Sequence, residues 1–292
     1  MGLPIWLPPL EEQRRIADFL DDQVARINEA ISTHRELEAL SSERIDTAVD
    51  NLIWSGANTV PLRQVAREVV VGIVVKPATY YTEDESGIPA IRGTDISPGM
   101  IDTSNLVRIS QLGHDLHPRS SLQSGDVLIV RTGNAGAAAL VPPELEGVNT
   151  ISNVIVRCRS GVDPGFIMTS INSKTSRQRI AEESVGAMQQ HFGVNAMKAL
   201  PMPSRSLVDQ ISVRGQVERL EEGRRLSAAA SEAAISLLEE RKRAVITAAV
   251  TGELDVTTAR PIGVGKWVSN VGASVDSAKA AQTQAPSIGG IG

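Results

Sequence analysis

Residues 10–54 read as one long helix, and this feature limits the possible folds more than any other. Pro8-Pro9 precede it, Glu11 and Glu12 occupy its first turn, and Ser55-Gly56 follow its end, which is the chemistry that starts and stops helices. Ile16, Leu20, Val24, Ile27, Ile31 and Leu37 recur mostly at steps of three and four, drawing an apolar stripe along one face. At 1.5 Å per residue such a helix is a rod of roughly 65 Å. A rod that long cannot bury its stripe alone, so it must lie against another.

A second rod is expected from Ser206 to Val250. Ser206 can cap it with Asp209 three residues on, and Thr251-Gly252 close it. Its stripe is Val213, Val217, Leu220, Ile235, Leu238 and Val245, diluted by Ala228, Ala229 and Ala230. The two rods match each other. Leu10, Gln13, Ile16 and Leu20 fall on Leu207, Gln210, Val213 and Val217 at an offset of 197, as do Glu43-Arg44 on Glu240-Arg241; Ser55-Gly56 fall on Thr251-Gly252 at 196. The chain therefore contains a repeat of one long helix, with a different domain between the copies.

That intervening domain is mixed α/β. Val69–Val75, Val127–Val130 and Ile151–Cys158 are candidate strands, glycines punctuate the loops, and a helix is expected from Pro164 to Glu183 with Phe166, Ile167, Ile171 and Ile180 inward. After Val256 the composition shifts to Gly, Ala, Ser and Thr without apolar period, the signature of a disordered tail. The expected organisation is a helical arm over 1–58, a domain over 59–205, a second helix over 206–256 and a tail over 257–292. The fold class is α+β: two long antiparallel helices forming a coiled coil, plus one α/β domain.

Composition narrows the function. A single cysteine, Cys158, excludes a disulfide framework and a thiolate zinc site and suits a reducing cytoplasm. No apolar run approaches a membrane span, and MGLPIWLPPL lacks the basic start of a signal peptide. Only 3 Trp, 2 Tyr and 3 Phe argue against an aromatic platform for single-stranded bases. The net charge of −5 is uneven: residues 1–59 hold five arginines against eleven acids, a net −6, whereas 60–205 carry +1. A protein gripping duplex DNA alone normally shows a basic face, so a DNA target would require a partner to supply cationic surface.

Catalytic patterns are not found. Gly263, Gly265 and Lys266 are too closely spaced for a phosphate cradle. Glu240-Arg241-Lys242 lies on a rod, where a solvated charged face explains it. His114 and His117 are three apart, but Pro118 follows and no further ligand cluster accompanies them. No cofactor is expected.

The informative residues lie in the middle domain. Ile91–Ile96 is followed by Gly125–Gly133, a buried strand delivering Arg131, Thr132 and Asn134 to a tight turn. Such a turn can offer a guanidinium, a hydroxyl and backbone N–H groups to a phosphate or base edge. Alternatively, Arg131 pairs with Asp126 or Asp95 and pins the fold. Gly186–Phe192 and Asn195 form a polar segment before Leu200–Pro203; its amides can read adenine or satisfy buried backbone.

In this order, Ile91–Ile96, Gly125–Gly133, Gly186–Phe192 and Leu200–Pro203, with the Leu7–Ala17 helix entry, resemble the specificity (S) subunit of type I restriction–modification systems over residues 7–256. The resemblance implies a target-recognition domain over 59–205, conserved helices forming an antiparallel coiled coil, and methyltransferase (M) subunits flanking that coil. It implies recognition of double-stranded DNA on behalf of M and endonuclease (R) subunits, with methyl donor and ATP bound by those partners. A full S subunit has two recognition domains, whereas this chain retains one, so one half-site is what it can read. The second rod also shows Val208-Asp209-Gln210-Ile211 in place of the first's Glu-Glu-Gln-Arg. The alternative reading is an incomplete S fragment that assembles with or blocks M subunits; a second S chain or fragment is a further candidate partner. The candidate DNA-binding residues are Lys76, Tyr80, Tyr81, Arg92, Arg119, Arg131, Thr132, Asn134, Gln189, Gln190 and Asn195. The expected coiled-coil interface is Ile16, Leu20, Val24, Ile27, Ile31, Val213, Val217, Leu220, Ile235 and Leu238.

Overall fold

The computed structural model describes residues 8–184 and 193–256; the proposed tail over 257–292 lies outside them. The elements run α1 (Leu10–Trp54), β1 (Asn58–Pro61), α2 (Leu62–Val65), β2 (Ala66–Val71), β3 (Ile88–Ile91), β4 (Ile96–Ser97), β5 (Met100–Ile101) and β6 (Val107–Ile109). They continue with α3 (Gln111–Leu116), β7 (Val127–Ile129), β8 (Ala138–Leu140), β9 (Asn149–Thr150) and β10 (Val154–Cys158). The last are α4 (Pro164–Asn172), α5 (Lys174–Ser184), α6 (Val194–Ala199), β11 (Pro201–Ser204) and α7 (Leu207–Val250). The fold is α+β with a long helix toward each end. None of the described helices is long and apolar enough to cross a membrane.

The sequence repeat is also a repeat of local chemistry. Gln13 Nε2 donates to the carbonyl of Pro8 at 2.7 Å, and Gln210 Nε2 donates to that of Arg205 at 2.9 Å, the same five-residue reach back over a helix start. At the other ends, Ser55 N donates to Asn51 O and Thr251 N to Thr247 O. Gly56 and Gly252 follow with φ of 68° and 77°, the left-handed conformation that closes a helix without a Cβ penalty. Ser206 Oγ accepts from Asp209 N at 3.2 Å and donates to its carboxylate at 2.7 Å, as the capping pair requires.

The chain divides into two compact units. The first combines the part of α1 up to Arg35 with the part of α7 from Ser231. There Ile27, Ile31 and Ile235 are buried and cluster with half-buried Leu238. Arg35 faces Glu239, and Lys242 Nζ donates to Asn28 Oδ1 at 2.9 Å: as numbers rise on α1 they fall on α7, so these segments pair antiparallel. Ile16, Leu20 and Val24 are half-buried.

The second unit is Glu36–Ala230. Here Arg224 of α7 pairs with Asp46 of α1 at 2.7 Å. Leu37, part of the α1 stripe, is 60% exposed and belongs to no seam. Val213 and Val217 are buried, and with half-buried Leu220 they join a core of Val49, Ile53, Phe166 and Ile167. Their stripe thus serves the domain core as well as a helix partner. Arg205 donates to the carbonyls of Leu52, Ile53 and Ser55, satisfying acceptors that the end of α1 leaves open. Next to it β1 pairs antiparallel with β11.

The central sheet, in order β2-β10-β7-β8, is antiparallel throughout. Val127, Ile129, Val154 and Val156 join the core of α4 and the helix ends, whereas Leu128, Val130 and Ile155 join Ile91, Ile96, Leu122 and Val148. Successive residues point to opposite faces and both faces are covered, which is why these strands read as unbroken apolar runs. A smaller sheet, β6-β3-β9, pairs β3 with β9 in parallel.

The expected helix over Pro164–Glu183 is in fact two. Ser173 is extended (ψ 153°) between α4 and α5. Its hydroxyl accepts from the Trp54 indole at 2.9 Å, and Asn172 bonds both the N–H and the carbonyl of Ala138. These two long-range attachments outweigh the continuing helical period. The four expected inward residues, Phe166, Ile167, Ile171 and Ile180, are all buried. The candidate strand Val69–Val75 ends at Val71, with Val74 and Val75 exposed.

Candidate functional site

Strand β7 ends in the buried core and delivers Arg131–Gly136 to a turn that returns as β8. The turn is held by Gly136 N on Val130 O at 2.8 Å and Ala137 N on Asn134 O at 3.0 Å. A Cβ on Gly136, whose φ is 85°, would lie 2.7 Å from Ile180 Cδ1; the missing side chain lets the turn sit against α5. Thr132, Gly133 and Asn134 are exposed and Arg131 is half-buried.

From α5, Arg177 Nη2 donates to Asn134 Oδ1 at 2.5 Å. Burial pulls the Arg177 guanidinium below its usual pKa, yet an arginine side chain stays charged at neutral pH. Arg177 Nη1 and Arg131 Nε are buried atoms without a hydrogen-bond partner among the described residues. Such a donor costs about 1–3 kcal/mol while unsatisfied.

A second turn lies beside the first. A Cβ on Gly93 would come within 3.2 Å of Val130 Cγ1 and 3.3 Å of Asn153 Oδ1, so Arg92–Asp95 packs against the end of β7. Arg92 grips buried Asp95 through Nε at 3.2 Å and Nη2 at 2.9 Å, and Asp95 accepts from Arg92 N at 2.8 Å. This arginine pins its own turn.

The carboxylates considered as partners of Arg131 are engaged elsewhere, Asp95 by Arg92 and Asp126 by Arg157 at 3.3 Å. Arg157, nearly buried, also reaches Glu68 at 2.8 Å and Ser121 O at 2.9 Å. Arg119 is exposed but bonded to Glu68 at 2.8 Å. Hydrogen bonds from Arg119 and then Arg157 hold the Glu68 carboxyl below its ordinary range.

The remaining candidates are dispersed. Lys76 is exposed, with left-handed φ of 43°, ahead of a short 3-10 turn at Pro77–Tyr80. Tyr80 packs edge-on to His117, with centroids 5.0 Å apart, and joins a small core with Ile73, Ala90 and Ile109, whereas Tyr81 is 43% exposed. Asn195 is exposed on α6. Gln189 and Gln190, with the rest of the 186–192 segment, lie outside the described residues. His114 Nδ1 meets Asn149 Oδ1 at 2.6 Å, and Asn149 in turn donates to Ser120 Oγ, a polar network within the domain. Burial pushes the Cys158 thiol up to about 12, far from the range of a reactive thiolate.

The structure therefore gathers Arg131, Thr132 and Asn134 beside the Arg92 turn. It adds Arg177, which the motif reading passed over. The available signal was the cluster Lys174, Arg177 and Arg179 on a helix whose Ile180 faces inward.

No protein-family model and no curated protein matches the sequence. Solved structures do match in fold. One is a chain from a structure addressing complex assembly and conformational transition of the type I R-M system, with TM-score 0.71 and 19% identity over 86% of this chain and 62% of that one. Another is the HsdS subunit from Thermoanaerobacter tengcongensis, with TM-score 0.55 and 18% identity over 86% of this chain and 61% of that one. The chain has the fold of these type I R-M proteins and spans about three fifths of the length of each.

Proposed function

We propose that this protein is a type I S-type recognition subunit: its 59–205 domain recognises double-stranded DNA, and its helices hold M and R subunits at the site. The chain performs no chemistry itself. The observation that carries this reading is the fold shared with type I R-M chains over most of the molecule. The turn at Arg131–Asn134 supports it by offering cationic and polar groups at one surface. The acidic first 59 residues, at −6, suit docking to a basic protein surface and oppose tight DNA binding by the chain alone.

Two measurements test the proposal. Alone, the chain should bind duplex DNA weakly and with steep salt dependence, gaining site-specific affinity once M subunits are added. Adenine-methylation mapping in cells with and without the gene should show loss of methylation at one motif. An unchanged methylation pattern, or nanomolar site-specific binding by the isolated chain at physiological salt, would contradict it. M-subunit binding without any change in methylation would instead identify a chain that only assembles or blocks.

A further inference from the structure

We infer that Arg131 and Arg177 form an anion clamp that seats one DNA phosphodiester against the 131–136 turn, with Asn134 holding Arg177 in place. The clamp rests on the DNA reading above and goes beyond it by assigning a position and a ligand group.

Selection among the arginines points to these two. Arg92 is bonded to Asp95, Arg119 to Glu68, and Arg157 to Asp126 and Glu68. Arg108 and Arg159 donate to the carbonyls of Gly87 and Ala66, and Arg205 to those at the end of α1. Arg179 lies over the Trp54 ring at 4.9 Å, and Arg214 faces Asp163 at 3.0 Å. Arg131, Arg177 and Arg179 form no ion pair among the described residues, and each keeps a buried N–H without a partner; of the three, Arg179 has its guanidinium against the Trp54 face, which leaves Arg131 and Arg177 with uncompensated charge. Their elements are far apart in sequence, yet Asn134 joins them by accepting from Arg177.

Both side chains are half-buried, and Thr132, Gly133 and Asn134 of the adjoining turn are exposed. Gly133, with φ of 81°, would have nothing within 4 Å of an added Cβ, so the tip of the turn is open at that residue. Lys174, exposed one helical turn before Arg177, adds positive charge on α5. Asp50, the acid bonded to this end of α5, is occupied by the amide and hydroxyl of Thr175. Two unpaired guanidinium groups on elements that Asn134 joins suit a tetrahedral anion better than a base edge, because guanidinium forks pair with phosphate oxygens. Such a contact positions the duplex and carries no sequence information.

The test uses the chain assembled with M subunits and measures duplex affinity across a salt series. Arg131→Gln and Arg177→Gln should each weaken cognate and non-cognate duplexes alike, by about five- to tenfold, and reduce the salt slope by about one. Asn134→Ala should weaken binding with the slope unchanged, since no charge is lost. Arg63→Gln, at an exposed arginine of α2, should change little. If Arg177→Gln fails to fold, Arg177→Lys takes its place, keeping the slope and losing affinity with the fork. Wild-type affinity and slope in the folded arginine variants would overturn the clamp, and so would a changed preferred base. A second arm separates the two readings: tripolyphosphate should raise the melting temperature of the wild-type chain but not of Arg177→Gln. If the assembled wild type binds no DNA while this difference persists, the DNA reading falls and the clamp stands as a polyphosphate site. Equal shifts in both proteins overturn the clamp whatever DNA does.

Discussion

Arg157→Ala is expected to destabilise the second unit by about 3–5 kcal/mol, the usual consequence of removing one partner from a buried ion pair. Asp126 is 3% exposed and would keep the N–H of Gln123 and the more distant charge of Arg67, but lose its bonded cation. Glu68 would retain Arg119, and Ser121 O would lose its donor. The deficit should depend on pH. Burial already raises the Asp126 carboxyl above its ordinary pKa, and the Gln123 N–H and Arg157 oppose that rise. A raised folded-state value means stability present at low pH and lost as pH increases, and the variant should show more of this. Glu68 has the opposite sign: its lowered value contributes stability above the ordinary carboxylate range that is lost as pH falls. Both effects narrow the gap between wild type and variant on acidification below about pH 5. Urea unfolding at a series of pH values measures this directly. A gap that stays constant from neutral pH into the carboxylate range would show that the network does not carry the charge balance assigned to it.

The double substitution Ile27→Asp with Ile31→Asp should separate the helices of the first unit. Both residues are 7% exposed and cluster with Ile235, itself 6% exposed. Each buried isoleucine contributes about 1.5–3 kcal/mol, and each introduced carboxylate would face an apolar seam without a counter-ion. The expected readout is an early helical melting phase by circular dichroism, with new proteolytic cuts before Arg35 and after Ser231. The equivalent change at Ile16 and Leu20 should be milder, because both are only half-buried. A wild-type melting curve for the Ile27/Ile31 variant would refute the seam.

Local chemistry was legible from residues alone wherever causes lie close along the chain. The ends of α1 and α7 follow from Pro9, Glu12, Ser206 and the closing glycines, because capping acts within one helical turn. The match of Gln13 to Gln210 was visible as a letter repeat, and it corresponds to the same hydrogen bond in both copies. Strands β7 and β10 were visible as apolar runs because both sheet faces are covered. The motif at Gly125–Gly133 correctly marked a strand leading to a tight turn.

What tertiary structure decided depends on partners far away in sequence. Periodicity could not place the break at Ser173, since the Trp54 indole lies 119 residues away. Nor could it assign Val213 and Val217 to the domain core, because an apolar stripe does not say what covers it. Charge pairing was the least legible. Asp126 finds Arg157 31 residues on, and Arg157 finds Glu68 89 residues back, leaving Arg131 free of the carboxylates proposed for it. By itself, then, the sequence determined the two rods, their ends, their internal repeat and the strand-to-turn motif, all governed by short-range sterics and hydrogen bonding. The fold alone decided which arginines neutralise acids and which keep a buried donor unpaired among the described residues, because a side chain's electrostatic partner is set by three-dimensional proximity rather than by spacing along the chain.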